Sequence, residues 1–443
     1  MSSSRKGSKD TTPLLVIKNL EAVVQVCNHG ELLKNNNVHD ELAMVCRRED
    51  GVGACLVVSC DGLVFFVGHD DQLGTSLQTA AQVIDGQGCC IIPGLIDAHT
   101  HPVWSGDRIF EFDLKMKGAS YLDIHSQGGG IYFTVRHTRE SSVEDLLRLF
   151  LERLDLFLSS GTTVVEVKTG YGLDYETEKK MLKVISLAKE RHPIEIVTTL
   201  LAAHAVPSGM DPEEATTQVI DIIHRLKNDL ETEPEQLPAI DFVDVFCEKG
   251  VYSVEETKRI LLEGRSVLNA ELGFHGEELC CLDSAVMAGE IKARSISHCE
   301  YISNEGIEAI SGSKTAAIIC PTTAYILRLP PPPVRQMIEK GVIVALGSDF
   351  NPNAYCYSLP AAMNVGVIHC RMSLNEALVA ATINSAYALN KSATHGSLEF
   401  GKVADFVLLN HKDWRSVIYQ VGNTKDLIRG VFKRGRLVSG SSS

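Results

Sequence analysis

The chain has no apolar stretch approaching the roughly 18 residues that a membrane-spanning helix requires. Nor does it carry an excess of positive charge: 42 Lys and Arg against 56 Asp and Glu give a formal net charge of -14. That balance argues against a nucleic-acid or membrane-surface partner, because both reward a basic face. An anionic substrate would have to meet a local arginine instead. No Cys-x-x-Cys spacing occurs among the 13 cysteines, which are scattered apart from the neighbours Cys89–Cys90 and Cys280–Cys281. The pattern fits neither a disulfide framework nor a thiolate zinc site, and reads as small buried thiols in a reducing compartment. Phosphate-binding glycine patterns are missing too; Gly128-Gly129-Gly130 reads as a flexible loop that can approach a ligand or hinge a lid. Residues 1–13 are polar without the apolar centre of a signal peptide. They read as a disordered lead, and the cytoplasm is the default location.

What is present is ordinary in bulk, with 44% hydrophobic and 22% charged residues, so the chain reads as a soluble globular protein. At 443 residues it is long enough for a main domain and a smaller one. Leu14–Ile17, Ala22–Val26, Leu56–Cys60 and Leu63–Val67 read as strands, the last two joined by a two-residue hairpin turn at Asp61-Gly62. Ala404–Leu409 and a hairpin around Gly435 give the C-terminal end the same character. Residues 14–92 and 393–439 are therefore expected to build one composite β-sandwich domain.

The middle, 93–392, alternates. Helical stretches such as 142–159, 175–191, 254–264 and 333–341 are followed by short apolar runs. With Ile91–Ala98 there are eight such runs: 162–167, 194–201, 240–246, 267–274, 295–297, 315–319 and 342–346 complete the set. Eight strands interleaved with helices predict an α/β fold, a (β/α)8 TIM-type barrel, over a doubly wound open sheet. The residues after these runs are His99 and His101, Lys168, His204, Glu248, His275, His298, Pro321 with Thr322, and Asp349. In a barrel those strand ends converge on the face where active sites lie.

His99 and His101 sit one residue apart at the end of a strand, where i and i+2 share a face. With His275 and Asp349 they make the most economical ligand set. Three neutral imidazoles and one carboxylate leave a metal ion with net positive charge, which suits a Lewis acid. Nitrogen and oxygen ligands fit zinc or iron. Glu278, three residues after His275, is placed for general acid–base work, with Glu277 as its competitor. His298 can hydrogen-bond the nucleophile or orient Asp349, and Asp349 can bind metal and accept a proton. Arg108 suits a substrate carboxylate held bidentately; a salt bridge with Asp107 or Glu111 is the equal alternative. The acidic segment 211–235 carries no assignment.

Pro93-Gly94-Leu95-Ile96-Asp97-Ala98-His99-Thr100-His101 resembles the metal motif of the amidohydrolase superfamily. Ser105–Arg108, Lys117–Tyr121, Gly128–Ile131, Val165–Leu173, Ala203–Pro207, Asp244–Glu248 and Ser348–Pro352 narrow the resemblance to the imidazolonepropionase family of histidine degradation. The likeness runs from about residue 90 to 405. It implies hydrolysis of the ring amide of 4-imidazolone-5-propanoate to N-formimidoyl-L-glutamate, with one divalent or trivalent ion per chain, zinc or iron, on His99, His101, His275 and Asp349. It implies substrate contacts at Arg108, Tyr121, Tyr171, His204, Glu278 and Asn351. Asn351-Pro352-Asn353-Ala354 departs from the bacterial Asn-Pro-Gly-Ser, which puts a backbone contact at Asn353 in doubt. This and Cys320-Pro321-Thr322-Thr323 look more like animal members. The expected form is a homodimer with a small carboxylate-bearing substrate as its partner.

Three rivals stand beside that reading. A nucleobase aminohydrolase of the same fold would need the same metal set, but its substrate has no carboxylate for Arg108 and Tyr121. A non-catalytic barrel scaffold would be expected to lose metal ligands, and all four are intact. A binuclear site would use Lys168 or Glu248 to support a second metal.

Overall fold

The computed structural model describes residues 13–35, 40–74, 80–117 and 129–441. It divides into two compact units, one comprising Met1–Glu31, Leu42–Gly94 and Ala393–Ser443, the other Leu32–Glu41 and Leu95–Ser392. Leu32–Glu41, read from sequence as part of the sheet domain, groups with the barrel, where Lys34 exchanges two 2.8 Å hydrogen bonds with the Asn384 side chain.

The larger unit is the expected barrel. Its strands are β1 (Leu95–Asp97), β2 (Thr162–Lys168), β3 (Glu195–Ala203), β4 (Phe242–Cys247), β5 (Glu271–Gly276), β6 (Ser295–His298), β7 (Ala316–Ile319) and β8 (Ile343–Leu346). Each is parallel to the next, in chain order. The Ala98 amide donates to the Leu346 carbonyl at 3.3 Å and draws the two outer strands together. Alternation along β2 explains its odd composition. Val165 and Val167 pack outward against the flanking helices with Leu146, Phe150 and Ile185. Val164 faces the barrel core with Ile96, Val197 and Ile318, and Glu166 and Lys168 follow on the same inward side.

The intervening helices start where their caps dictate. Ser142 accepts from the Asp145 amide ahead of Val143–Ser159, Asp174 from Thr177 ahead of Tyr175–Arg191, and Ser253 forms a capping box with Glu256 ahead of Val254–Leu268. Each such cap contributes about 1 kcal/mol. The acidic segment is one of these helices, Pro212–Thr232, capped by Asp211 and Glu214, with Val219, Ile223 and Leu226 buried. No described helix is long and apolar enough to cross a membrane.

In the smaller unit a four-stranded and a six-stranded sheet share a core of Leu15, Ile17, Leu56 and Val64 with Ile91, Phe406 and Phe432. Two expectations change here. Ile91–Ala98 is not one strand: Cys90–Pro93 pairs with Phe406–Leu409, whereas Leu95–Asp97 pairs with β2. Both pieces are buried along their whole length, so their run cannot register the switch at Gly94. The Asp61-Gly62 hairpin has three loop residues, because Ser59 donates to the Leu63 carbonyl at 2.9 Å and Gly62 takes a φ of +80°. The cysteines were expected to be buried, but Cys46, Cys60 and Cys281 are exposed.

Candidate metal centre

His99 and His101 follow β1, His275 lies in β5 and Asp349 follows β8, so the barrel brings these side chains to one end. The Nε2 atoms of His99 and His101 lie 3.3 Å apart, and those of His101 and His275 3.2 Å. Asp349 Oδ1 stands 3.5 Å from His99 Nε2 and 3.4 Å from His101 Nε2. A tetrahedral ion with bonds of about 2.1 Å spaces its ligand atoms about 3.4 Å apart. All four side chains are buried; His99, His101 and Asp349 present ligand atoms within 4.8 Å of one another, and His275 shares a second such group with His99 and His298. A cation satisfies such a set; protein groups alone do not. Burial pushes the imidazoles of His99 and His101 well below their usual range, which keeps them neutral and able to donate lone pairs.

Partners behind the ring orient these ligands. Asp244 accepts from His275 Nδ1 at 2.9 Å and from its backbone amide at 3.2 Å. Ser297 Oγ holds His99 Nδ1 at 2.8 Å. Thr323 Oγ1 donates to Asp349 Oδ2 at 2.7 Å, leaving Oδ1 to face the histidines. The approach of β8 to β1 needs Gly347, since a Cβ there would sit 2.5 Å from the His99 Cβ. Sequence reasoning passed over Asp244, Ser297 and Thr323. The signal for the first two was their inward parity on β4 and β6; Thr323 stood one residue past the pair that was singled out.

Glu278 and Glu277 separate cleanly. Glu277 takes a φ of +58° and accepts from Ser284 Oγ at 2.8 Å, the Ala285 amide at 3.2 Å and the Leu282 amide at 3.0 Å, so it anchors the loop. Glu278 has its Oε2 3.7 Å from His298 Nε2. Burial, with Asp349 and Glu248 adding their charges, pushes the Glu278 carboxyl well above its usual range. Both causes favour the protonated form. Burial drives His298 down to about 3, so it is a neutral imidazole. His298 also lies within ligand reach of His99 and His275. Glu300, not anticipated from sequence, is buried with neither carboxyl oxygen hydrogen-bonded, 4.0 Å from His298 Nδ1.

Beside this centre His204 stacks on His101 with ring centroids 4.9 Å apart, and Tyr171 lies 5.2 Å from His204. His204 Nδ1 contacts the Gly170 carbonyl at 3.1 Å. Arg108 forms a two-pronged pair with Glu111, Nε to Oε1 at 2.8 Å and Nη2 to Oε2 at 2.6 Å. Asp107 instead accepts from the Ile109 amide. Burial pushes the Tyr171 phenol up, and the Arg108 charge opposes that push. Asn351 spends its side chain on its own loop, donating to the Asp349 carbonyl at 2.8 Å and accepting from the Asn353 and Ala354 amides at 2.8 and 3.0 Å. Tyr121 and Gly128 lie outside the described residues. Both candidates for supporting a second metal are engaged elsewhere. Glu248 accepts from the Lys249 and Leu279 amides, each at 2.9 Å, and Lys168 pairs with Glu166 and Asp244.

Comparison with known proteins places this geometry in a family. Residues 284–439 match the model described as the amidohydrolase family. Probable imidazolonepropionases from Danio rerio and Homo sapiens are 45% and 46% identical, each over 96% of this chain and 96% and 98% of their own lengths. Among solved structures, a triazine hydrolase from Arthobacter aurescens has a TM-score of 0.72 at 15% identity, covering 97% of this chain and 96% of its own. The guanine deaminase of E. coli gives 0.66 at 16% identity over 96% of this chain and 99% of its own. At those identities the likeness is one of fold. The near-full-length relatives are decisive: this chain belongs to the imidazolonepropionase family, and it is a hydrolase acting on carbon–nitrogen bonds.

Proposed function

We propose that the chain hydrolyses the cyclic amide of 4-imidazolone-5-propanoate to N-formimidoyl-L-glutamate, using one metal ion held by His99, His101, His275 and Asp349. The observation that carries the reading is the approach of His101 Nε2 to the Nε2 atoms of His99 and His275 at 3.3 and 3.2 Å, with Asp349 Oδ1 3.4–3.5 Å from His101 and His99, beside a buried Glu278 whose carboxyl is pushed well above its usual range. Zinc or iron bound there would supply Lewis acidity toward the ring carbonyl and water. In the reaction water oxygen joins the carbonyl carbon, the carbonyl C–N bond breaks, and the oxygen ends in the new carboxylate. Glu278 is the catalytic acid that delivers a proton to the departing ring nitrogen. His298, neutral and 3.7 Å from Glu278, receives a hydrogen bond from the nucleophile, and Asp349 takes up its proton. Arg108 grips the propanoate with the guanidinium edge that Glu111 leaves open, Tyr121 and Tyr171 also contact the substrate, and His204 hydrogen-bonds the ring. Asn351 and Asn353 shape the rim through the turn they share. The reading includes a cytoplasmic homodimer, which light scattering on the purified chain and cell fractionation test.

A nucleobase aminohydrolase is the alternative, and Arg108 disfavours it, since a nucleobase offers no carboxylate. The deciding experiment follows ring opening spectroscopically on freshly made imidazolone propanoate, with chelator-stripped enzyme and enzyme restored with zinc or iron. The expected result is loss of turnover on stripping and recovery on restoration. Undiminished turnover after stripping, or ammonia release from guanine outpacing ring opening, would overturn the proposal.

A further inference from the structure

The buried lysine at the end of β2 lies outside the ligand set yet touches what holds it. Lys168 Nζ sits between two carboxylates, 2.6 Å from Glu166 Oε1 and 2.9 Å from Asp244 Oδ2. All three side chains are within 4% of full burial. The second oxygen of each acid is directed at the ligands. Asp244 Oδ1 holds the ring and backbone of His275. Glu166 Oε2 accepts at 3.0 Å from the amide of Thr100, the residue between His99 and His101, and the Thr100 hydroxyl donates to the Glu166 carbonyl. One ammonium thus joins two arms: Asp244 to His275, and Glu166 to the His99–His101 segment.

We propose that Lys168 is a positioning residue for the metal ligands, its ammonium holding Asp244 and Glu166 so that they fix His275 and the His99–His101 segment. The inference rests on the metal-centre reading above. Without the ammonium, two buried carboxylates confront each other across a gap that no cation fills, and mutual repulsion at low dielectric drives them apart. Asp244 then leaves His275 Nδ1, and the ring loses the partner that aims its Nε2. The flanking acids also outweigh the burial that would otherwise strip the lysine of its proton, which opposes the amine chemistry a metal-bridging lysine needs.

The test is zinc affinity of the full chain after chelator stripping, read by competition with a chromophoric chelator, alongside zinc stoichiometry and kcat. Lys168→Met should weaken zinc binding about 10- to 100-fold. Adding Glu166→Gln should restore most of it: the second substitution removes the like charge, and its amide oxygen can still take the Thr100 N–H. A lysine that merely braced the barrel would not be rescued by losing a further ion-pair partner. A folded Lys168→Met chain that binds zinc as the wild type does, or a double variant as weak as the single, overturns the inference. So does a stoichiometry of two ions that falls to one in Lys168→Met. If Lys168→Met does not fold, Asp244→Asn carries the question: binding as tight as wild type breaks the chain from Lys168 to His275 and refutes it. A wild-type chain that binds no zinc or iron fails the metal-centre reading instead.

Discussion

The sharpest quantitative test concerns Arg108, because its neighbour decides which variant is informative. Glu111 occupies Nε–H and one Nη2–H of the guanidinium, leaving the two Nη1–H and the other Nη2–H along the opposite edge. That edge can take a substrate carboxylate with two parallel hydrogen bonds. Hydrogen bonds to charged groups contribute about 1.5–3 kcal/mol, so losing this grip should lower kcat/KM about 10- to 150-fold at 1.36 kcal/mol per decade. Arg108→Ala alone is the wrong experiment. Glu111 has only 2% of its side chain exposed, and stranding a buried charge costs about 3–5 kcal/mol, which would blur binding with stability. Arg108→Gln combined with Glu111→Gln removes both charges and retains a donor for local packing. Steady-state kinetics should place the defect mainly in KM, because the carboxylate is held alike in ground and transition states. The same variant assayed on the propanamide analogue, which lacks the charge, should lose far less relative to wild type. Equal losses on both substrates, or a defect confined to kcat, would refute the assignment.

The two adjacent glutamates should part company: Glu278→Gln is expected to lower kcat about 10²- to 10⁴-fold with zinc content and melting temperature near wild type, whereas Glu277→Gln should lower the melting temperature by loosening the 3.0 Å bond to Leu282 and its neighbours. Wild-type turnover in Glu278→Gln would remove it from the chemistry. Thr323→Val deletes the 2.7 Å hydrogen bond to Asp349 Oδ2 and should weaken zinc binding about tenfold without unfolding the barrel; a chelator titration superimposing on wild type would show that Asp349 needs no such support.

Much of this protein was readable from residue order because its information is local. Apolar runs interrupted by capped amphipathic helices specify eight strands in sequence, and a barrel then follows from right-handed crossovers. The candidate ligands stood out for a related reason: each stands just past the end of an apolar run, and topology forces all such ends to one rim. Local information fails where two residues compete on equal terms. Glu277 and Glu278 are chemically the same, and only the loop's left-handed turn at Glu277 decides which one anchors and which one faces His298. Arg108 had two partners of equal standing until the fold set Glu111 against it, buried.

What composition and spacing determined alone was the architecture and the candidate metal ligands, since both are read from periodicity along one strand or helix at a time. What only the folded chain decided was how those side chains are held. Asp244, Ser297, Thr323 and the Glu166–Lys168–Asp244 cluster act on residues as many as 198 positions away. Contacts of that kind arise when inward faces of neighbouring strands meet inside the barrel, and no linear pattern encodes which inward residue will stand opposite which.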